Sequence, residues 1–407
     1  MIETQDVQDL SKKAMAQYSV ASIGTGFFYA FNNAVLPLLI PSNNVLLVNL
    51  MSNTRSIEGT IIQPIVGAWS DRTWTRLGRR RPFMLVAMPL SALFMAITPL
   101  APNLAGIVAC IVAFSLFFNV AADPYTALMA DIARPEQRPT LNAVAIVVQF
   151  VGQVGLTLAL AFGPFGKHIP ALAYPLVAAG ILVTVLITVA TVPEQRESAH
   201  IEPRHRLGEY VAALQSHRQA MRYLVALFFY NTGINTIQVN LTRFAIKVLH
   251  VSDSDALKLF LIVILVTGLL TVPAARVAER IGIKPVIIAG MVLIALAASS
   301  AFVVTTITQV VPVLIVAGIG NACLSLAWPL LTLLVPPERV GVFAGLKTGA
   351  ESLSAFFSSF VAAAMVGAWG YRSIFTVLLV AIVASMVTLL PIRVAAQQVT
   401  VVSSAPG

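Results

Sequence analysis

The sequence predicts an all-α integral membrane protein with twelve transmembrane helices in two pseudo-symmetric six-helix bundles. Three observations predict this fold: the apolar composition, the lengths of the apolar runs, and the recurrence of short motifs half a chain apart. Of the 407 residues, 58% are hydrophobic and only 11% are charged. A water-soluble domain with that balance would expose large apolar patches. A chain of this length with short loops accommodates about twelve spans of about 20 residues each.

Twelve apolar runs are candidate membrane spans, and they fall into two sets of six. The first set forms a bundle within residues 1–192 and the second a bundle within residues 221–393. Residues 193–220 are the longest polar stretch and are predicted to be a cytoplasmic linker, and residues 394–407 a disordered tail. The predicted spans are 17–39, 45–69, 83–101, 104–133, 139–163, 170–192, 221–248, 256–278, 285–306, 310–335, 342–366 and 372–392.

Positive charges concentrate in alternate loops and predict the orientation of the chain. The loop after the second run reads GAWSDRTWTRLGRRRP and carries five Arg, whereas the loops around Pro41, Pro102 and Thr308 carry no Lys or Arg. Because Lys and Arg collect on the cytoplasmic side, both termini are predicted to be cytoplasmic, in a bacterial-type plasma membrane. The net charge of +9 is therefore a topological signal and does not indicate a nucleic-acid partner. The polar N-terminus lacks the features of a secretory signal peptide.

Three motifs recur in the same order, about 200 to 210 residues apart, and indicate that the two halves are copies. Parallel six-span halves related by an axis along the membrane normal are a transporter architecture, with the substrate site between the halves near mid-depth. The motif pairs are Phe27-Phe28-Tyr29 with Phe228-Phe229-Tyr230, Asp71-Arg72 and Pro82 with Glu279-Arg280 and Pro285, and Pro124 and Pro135-Glu136 with Pro329 and Pro337-Glu338.

The segment GAWSDRTWTRLGRRRPF over residues 67–83 resembles the signature between spans 2 and 3 of the major facilitator superfamily. Its spacing, with Gln63-Pro64 ahead of it, is most similar to that of sucrose and related sugar transporters. The segment DPYTALMAD over residues 123–131 is similar to span 4 of glycoside–pentoside–hexuronide cation symporters. The resemblance implies the major facilitator fold and a sugar substrate. The paired span-2 aspartates of melibiose-type members are absent, with Gly59 and Gln63 in their places, which favours proton coupling over a sodium site.

Three ionisable side chains inside the first bundle are predicted to couple transport to protons: Asp123, Glu58 and Arg55. An ionisable group at mid-bilayer costs at least about 2.5–3.5 kcal/mol on insertion scales, so each requires a reason. Asp123 precedes Pro124 near mid-depth, and we predict that it carries the proton, with Arg55 and Glu58 as neighbours. Two structural alternatives stay open. Arg55 and Glu58, three residues apart, form an internal ion pair, or Asp123 accepts the backbone amides that a helix bend releases.

Polar side chains on spans 1 and 7 are predicted to line a substrate cavity, because amides and hydroxyls both donate and accept hydrogen bonds as sugar hydroxyls do. Interhelical hydrogen bonding between packed spans is the alternative. On span 11, Glu351 either forms an ion pair with Lys347 or binds substrate opposite Gln149, and Trp328 either stacks on a sugar ring or packs. The predicted substrate-binding residues are Tyr29, Asn32, Asn33, Gln149, Asn231, Asn235, Gln238, Trp328 and Glu351.

Loop charges, together with small residues at regular spacing, predict a cytoplasmic gate. Gly341, Gly345 and Gly349 recur every four residues, so spans 2 and 11 are expected to touch near the cytoplasm, with Asp71 facing the start of span 11. A purely topological role is the alternative for the Arg residues, above all for Arg76 and one or two of Arg79 to Arg81. The predicted gate residues are Gly67, Asp71, Arg72, Gly78, Arg80, Asp131, Glu136, Arg138, Glu279, Arg280, Glu338 and Arg339.

These features predict a secondary active transporter, a proton-coupled symporter of a sugar or glycoside that works by alternating access. A proton-coupled exporter of drugs or metabolites is the alternative, and a transport-inactive membrane sensor is the alternative of a different class. No His pair, Ser/His/Asp set or metal cluster indicates an enzyme, and neither a cofactor nor a metal is expected. The expected partners are the lipid bilayer, the small-molecule substrate and protons, and the protein is expected to be a monomer.

Overall fold

The computed structural model describes residues 10–41, 43–133, 137–163, 171–192, 194, 217–336 and 340–393. Their long helices confirm the predicted all-α architecture, and the predicted linker and tail lie outside the described residues, apart from Glu194 and the stretch from His217. The long helices in this part of the chain are α1 Lys12–Ala30, α2 Val45–Arg72, α3 Arg81–Ile97, α4 Leu104–Ile132, α5 Arg138–Phe162, α6 Ala173–Thr191, α7 Arg218–Leu249, α8 Asp253–Ile281, α9 Ile283–Ser300, α10 Ile307–Leu324, α11 Val340–Trp369 and α12 Ser373–Leu389.

Side-chain caps and local breaks explain where several helices begin and end. The side chains of Asn44, Asn103 and Ser252 accept hydrogen bonds from backbone amides in the first turns of α2, α4 and α8, which satisfies donors that a helix start leaves unpaired. Helix α1 continues through a π-helical turn, Phe31–Val35, into the short helix Leu36–Leu39. Helix α10 ends at Leu324. A short helix, Ala327–Thr332, follows it and has Pro329 in its first turn.

Eight helices in the described residues are long and apolar enough to cross a membrane by length and composition: α3 to α6 and α8 to α11. Helix α12 is apolar but short. The others, α1, α2 and α7, carry many of the polar and charged side chains that the sequence analysis assigned to the site. Their lower hydropathy is therefore expected for helices that face a polar interior and not only lipid.

The helices pack mainly within two groups, α1 to α6 and α7 to α12. In the first group α1 lies against α5 and α6, and in the second α7 lies against α11 and α12. The α1–α5 contact is backbone on backbone, because a methyl group at Gly26 would collide with the carbonyl oxygen of Gln149, and one at Gly152 with that of Ile23. Between the groups, α2 packs on α11 and α5 packs on α8.

The buried apolar side chains show where the two groups join. One cluster contains residues of both groups, such as Phe31 and Met51 with Phe244 and Phe375. The other two clusters each belong to one group only, α1 to α6 or α7 to α12. We call the end with Arg79 and Gly282 the basic end, and the end with Ile40 and Ser252 the opposite end. The shared core extends to the opposite end, and the two separate cores lie toward the basic end.

Candidate functional site

Hydrogen bonds join the two groups near the opposite end. Asn49 and Asn240 are fully buried, and each donates to the other's side-chain oxygen, with N–O distances of 3.2 and 2.9 Å. Farther along α2, Asn53 donates to Ser359 of α11 at 3.1 Å. At 1.5 Å per residue, Asn53 lies only about 12 Å from the start of α2. These bonds hold the bundle closed at the opposite end.

A buried arginine adds to this closure. The guanidinium of Arg243, on α7, donates to the carbonyl oxygens of Pro37 (2.6 Å) and Ile40 (3.1 Å), at the end of the first span. The last carbonyls of a helix carry partial negative charge and have no partner within the helix, so a cation there is stabilised. Sequence analysis did not single out Arg243, because its partners lie more than two hundred residues away.

The predicted contact of α2 and α11 near the basic end stays a prediction, because the contacts of Gly67 and Gly341 lie outside the described part of these helices. The two helices do pack, and Asn53 donates to Ser359 between them. Gly349 lies toward the basic end of α11, and a methyl group there would meet nothing within 4 Å.

Within the first group, the arginine-rich loop binds a buried carboxylate. The Arg79 guanidinium holds both Asp131 oxygens, with Nε–Oδ2 at 3.0 Å, and Arg80 Nε lies 3.1 Å from the same Oδ2. Arg80 also donates to Ser70 of α2. All three charged side chains are at least nine-tenths buried. Arg79 and Arg80 therefore brace α2, α3 and α4 together, which is more than an orienting charge requires.

A second carboxylate caps the start of α3. Glu194 accepts the backbone N–H groups of Arg79 (2.6 Å), Arg80 (3.0 Å) and Arg81 (2.8 Å). This is the arrangement in which a helix N-terminus stabilises an anion. Gly78 precedes it with a φ of 105° and leaves no room for a side chain beside Glu194. The sequence analysis placed Glu194 in the linker and missed this role, since no local pattern pairs it with residues over a hundred positions earlier.

The two halves repeat one contact at the basic end. Arg81 donates to the carbonyl oxygen of Val189 at the end of α6. Lys284 donates to the carbonyl oxygens of Leu390 (2.7 Å) and Ile392 (2.6 Å) at the end of α12. Arg81 and Lys284 each directly precede a proline that recurs between the halves. The single lysine thus performs in the second half what one arginine of the run performs in the first.

The latch predicted for the remaining gate residues stays a prediction. Glu279 and Arg280 are exposed in the last turn of α8, with no ion pair among the described residues. Arg138 Nε donates to the carbonyl oxygen of Ala133 at 3.1 Å. Gly67, Asp71 and Arg72 lie toward the end of α2, where only the backbone is described, and Glu136, Glu338 and Arg339 lie outside the described residues.

The predicted coupling residues lie on α2 and α4, but Arg55 and Glu58 form no ion pair in the described residues. Arg55 Nη1 instead donates to the hydroxyl of Tyr29 at 2.8 Å. Its guanidinium carbon lies 5.0 to 5.7 Å from the ring centroids of Tyr29, Phe28 and Phe118, which is a cation–π distance. Asp123 is half-buried on α4 and has a partner.

A cavity of about 290 Å³ lies between α5 of the first group and helices of the second. Four polar side chains line it: Gln153 of α5, Gln238 of α7, Thr267 of α8 and Asn321 of α10. Aromatic rings also line it, among them Phe150, Phe260 and Phe375. Only Gln238 belongs to the predicted substrate-binding set. Asn321 was missed because it is a single polar residue in a long apolar run.

A chain of hydrogen bonds positions the polar wall of this cavity. The hydroxyl of Tyr230 donates to Asn321 Oδ1 at 3.0 Å, and Asn321 Nδ2 lies 3.3 Å from Thr267 Oγ1. Asn321 therefore has both ends of its amide oriented, whereas Gln238 makes no side-chain hydrogen bond among the described residues. A fixed amide beside an unengaged one can recognise a ligand that donates and accepts hydrogen bonds.

The other predicted substrate residues are distributed over both groups. Asn32 donates to the carbonyl oxygen of Ser52, Asn231 to that of Leu227 in its own helix, and Asn235 to the Ser354 hydroxyl. The bonds of Asn32 and Asn235 join different helices and agree with the packing alternative, whereas that of Asn231 does not. Lys347 Nζ and Glu351 Oε1 form the ion pair at 2.5 Å. Tyr29 holds Arg55. Asn33, Gln149 and Trp328 have no side-chain hydrogen bond among the described residues, and Trp328 is 36% exposed.

A family profile described as "MFS/sugar transport protein" matches residues 44–383. This chain belongs to that family. The match covers ten of the twelve long helices completely and includes both halves, so family membership rests on the whole fold and not on the loop signature alone. The members are transport proteins, which agrees with the predicted class and not with an enzyme.

Curated relatives match parts of the chain. It is 30% identical to the sucrose transport protein SUC3 of Arabidopsis thaliana over 133 residues, which are 27% of this chain and 22% of that protein. It is 31% identical to the proton-associated sugar transporter A of Rattus norvegicus over 221 residues, which are 47% of this chain and 28% of that protein. The matched segments thus span about a quarter of the length of these relatives.

Solved structures match nearly the whole fold. The crystal structure of a D-xylose-proton symporter superposes with a TM-score of 0.71 at 18% identity, covering 94% of this chain and 98% of that one. The nucleoside transporter NupG superposes with a TM-score of 0.73 at 12% identity, covering 93% and 98%. At these identities the likeness concerns the fold.

Proposed function

We propose that this protein is a proton-coupled symporter that moves a sugar or glycoside by alternating access. The observation that carries the proposal is the asymmetry of the two ends: hydrogen bonds and a shared core close the opposite end, while separate cores lie at the basic end. A transporter with one site between two bundles needs such a state, open to one side, and its mirror state.

The arginine-rich loop orients this state in the membrane. With the basic end at the cytoplasmic side, both termini lie in the cytoplasm of a bacterial-type plasma membrane and the structure is open inward. The outward-open state then requires the opposite-end hydrogen bonds to break and the basic end to close. Gly67, Asp71, Arg72 and the Arg80–Asp131 brace are proposed to form that closed basic end, in a protein that acts as a monomer.

A sugar or glycoside fits the chemistry of the cavity. Gln153, Gln238, Thr267 and Asn321 offer amides and hydroxyls that donate and accept. The aromatic wall offers apolar contact to the carbon face of a sugar ring or to an aglycone. The names of the relatives, sucrose transport protein and proton-associated sugar transporter, support the same substrate class. Tyr29, Gln149 and Glu351 are proposed to complete the site between the groups.

Coupling is proposed to depend on Arg55, Glu58 and Asp123, which are ionisable groups inside the first bundle. An ion pair between Arg55 and Glu58 does not explain their presence there.

Counterflow in proteoliposomes tests the transport claim. Vesicles loaded with an unlabelled disaccharide, pentose or glycoside should transiently take up the labelled compound, and empty liposomes should not. If no sugar in the panel shows counterflow and a pH gradient drives efflux of an amphiphilic cation, the protein is instead a proton-coupled exporter.

A further inference from the structure

Polar atoms without a hydrogen bond concentrate at one place in the first bundle. Of the eight buried side-chain atoms of this kind in the described residues, five lie on α2 and α4. On α2 they belong to Ser52, Arg55 and Glu58, at spacings of three that share one helix face. On α4 they belong to Ser115 and Asn119, four residues apart. Because α2 packs on α4, these atoms form one polar cluster between two helices.

Glu58 is the acidic member of this cluster. Its carboxyl group lies beside Ser115 and Asn119, which are 2% and 0% exposed. Its Oε2 is buried and makes no hydrogen bond. A buried ionised carboxylate normally holds a cation or several donors. In the described residues no cation pairs with this carboxyl group, and its side-chain hydrogen-bond partners are Ser115 and Asn119.

The orientation of Asn119 indicates where a proton fits. Its Nδ2 donates to the carbonyl oxygen of Arg55 at 3.1 Å, and since a carbonyl only accepts, this end of the amide must be the NH₂ group. The other end, Oδ1, is buried and lacks a donor. An ionised Glu58 offers Oδ1 only more acceptors, whereas a protonated Glu58 offers the missing O–H donor.

The charged groups on the helices around Glu58 have other partners. Arg55 bonds to Tyr29 of α1. On α11, Lys347 and Glu351 pair with each other. On α7, Arg243 holds carbonyls at the opposite end. Asp123, on α4, has a partner of its own, and Glu58 forms no ion pair with any of these groups in the described residues.

We propose that Glu58 is the group that binds the transported proton, and that Arg55 turns from Tyr29 to the Glu58 carboxylate when the proton leaves. The carboxylate takes one proton from water at one side and releases it to water at the other, and no other bond changes. Arg55 Nε is already buried without a partner and lies three residues from Glu58 on the same helix. Proton release would thereby withdraw Arg55 from Tyr29, a predicted substrate residue, and link the two sites.

This assignment rests on the proposed symport and differs from the sequence-based prediction that Asp123 carries the proton. Infrared difference spectroscopy of the purified protein, titrated without sugar, distinguishes the two. The C=O band of a titrating protonated carboxyl group is expected in the parent protein, absent in Glu58→Gln, and present in Asp123→Asn. It is also expected in Glu351→Gln, which makes the same chemical change in an ion-paired glutamate. A band that persists in Glu58→Gln overturns the assignment.

Transport by the same variants separates this inference from the proposed function. Glu58→Gln is expected to keep sugar counterflow and to lose uphill accumulation driven by a pH gradient, and Glu58→Asp to regain part of it. Thermal unfolding checks that both variants fold. Retained uphill accumulation in Glu58→Gln contradicts the inference. Absence of counterflow with every sugar in the parent protein contradicts the proposed substrate class instead, while the spectroscopic result on Glu58 stands.

Discussion

Asn49 of α2 and Asn240 of α7 exchange two side-chain hydrogen bonds across the boundary between the halves, and both residues are fully buried. Replacing Asn240 with Ala leaves the Asn49 amide oxygen buried without its donor, although Asn49 Nδ2 keeps the Val45 carbonyl oxygen, and a buried unsatisfied polar atom costs about 1–3 kcal/mol. The population of the outward-open state should therefore rise relative to that of the state with a closed opposite end, by tenfold for each 1.4 kcal/mol. Spin labels at the exposed Asn43 and Thr308 should report a larger population of long distances between the halves.

Two controls make this prediction specific. Thr232→Ala removes a hydroxyl on the same helix that bonds only within it, to Phe228, and should leave the distance distribution unchanged. Asn49→Leu combined with Asn240→Leu removes both partners and should shift the distribution less than either single change to Ala, since no polar group is left unpaired. Equal shifts in the single and the double variants would contradict the reciprocal pair as the closing contact.

The brace at the basic end predicts a large loss of stability. Asp131→Ala leaves Arg79 and Arg80 without their shared carboxylate, and removing one partner of a buried ion pair costs about 3–5 kcal/mol. The unfolding midpoint in detergent should fall clearly. Arg76→Gln is the matched control, because Arg76 is exposed in the same loop and has no ion pair among the described residues, so its effect should stay within about 0.5 kcal/mol. Equal destabilisation by Asp131→Ala and Arg76→Gln would show that stability depends on the net charge of the loop and not on the ion pairs of Arg79 and Arg80 with Asp131.

The close approach of α1 and α5 predicts opposite effects of two similar substitutions. Gly152→Ala introduces a methyl group against the Ile23 backbone and should destabilise the protein by about 1–3 kcal/mol through overpacking. Gly155→Ala, one turn along the same helix, meets nothing within 4 Å. It should be neutral or stabilising by up to about 1 kcal/mol, since Ala favours helix over Gly. Thermal unfolding of both variants side by side measures the difference in stability. Equal destabilisation by the two substitutions would refute the close contact between Gly152 and the Ile23 backbone.

The cavity predicts a weaker affinity for sugar in Gln238→Ala. Gln238 lines the cavity with its amide unengaged, and a lost neutral hydrogen bond costs about 0.5–1.5 kcal/mol, or about two- to tenfold in the half-saturation constant of counterflow. Gln309→Ala is the control, because Gln309 bonds Thr305 at the exposed opposite end. An unchanged constant in Gln238→Ala would place the sugar elsewhere, toward Tyr29 and Gln149.

The helices were predictable from the sequence because hydropathy reports them directly: the predicted span 45–69 is helix Val45–Arg72, and 221–248 is Arg218–Leu249. The pairing of Arg79 with Asp131 was not, since the residues lie 52 positions apart and only the packing of α3 on α4 brings them together. Likewise, spacing brought Arg55 and Glu58 to one face, but the aromatic rings that draw Arg55 away belong to other helices.

The charge distribution shows the same division. The positive loops predicted an orientation. They did not reveal that Glu194 binds backbone amides of the arginine-rich loop and that Asp131 pairs with its arginine side chains. Individual polar residues such as Asn321 and Ser115 also carry no pattern by themselves. Their roles follow from the helices that face them, which are known only once the bundle is assembled.

One measurement tests proton-coupled symport most directly. Sugar is added to the outside of weakly buffered proteoliposomes that contain the protein, and the external pH is followed without an imposed gradient. Symport predicts that the external medium becomes alkaline as sugar enters with protons, and that a protonophore abolishes the signal. Sugar entry with no pH change would contradict proton coupling, and acidification of the medium would show exchange against protons, which contradicts symport.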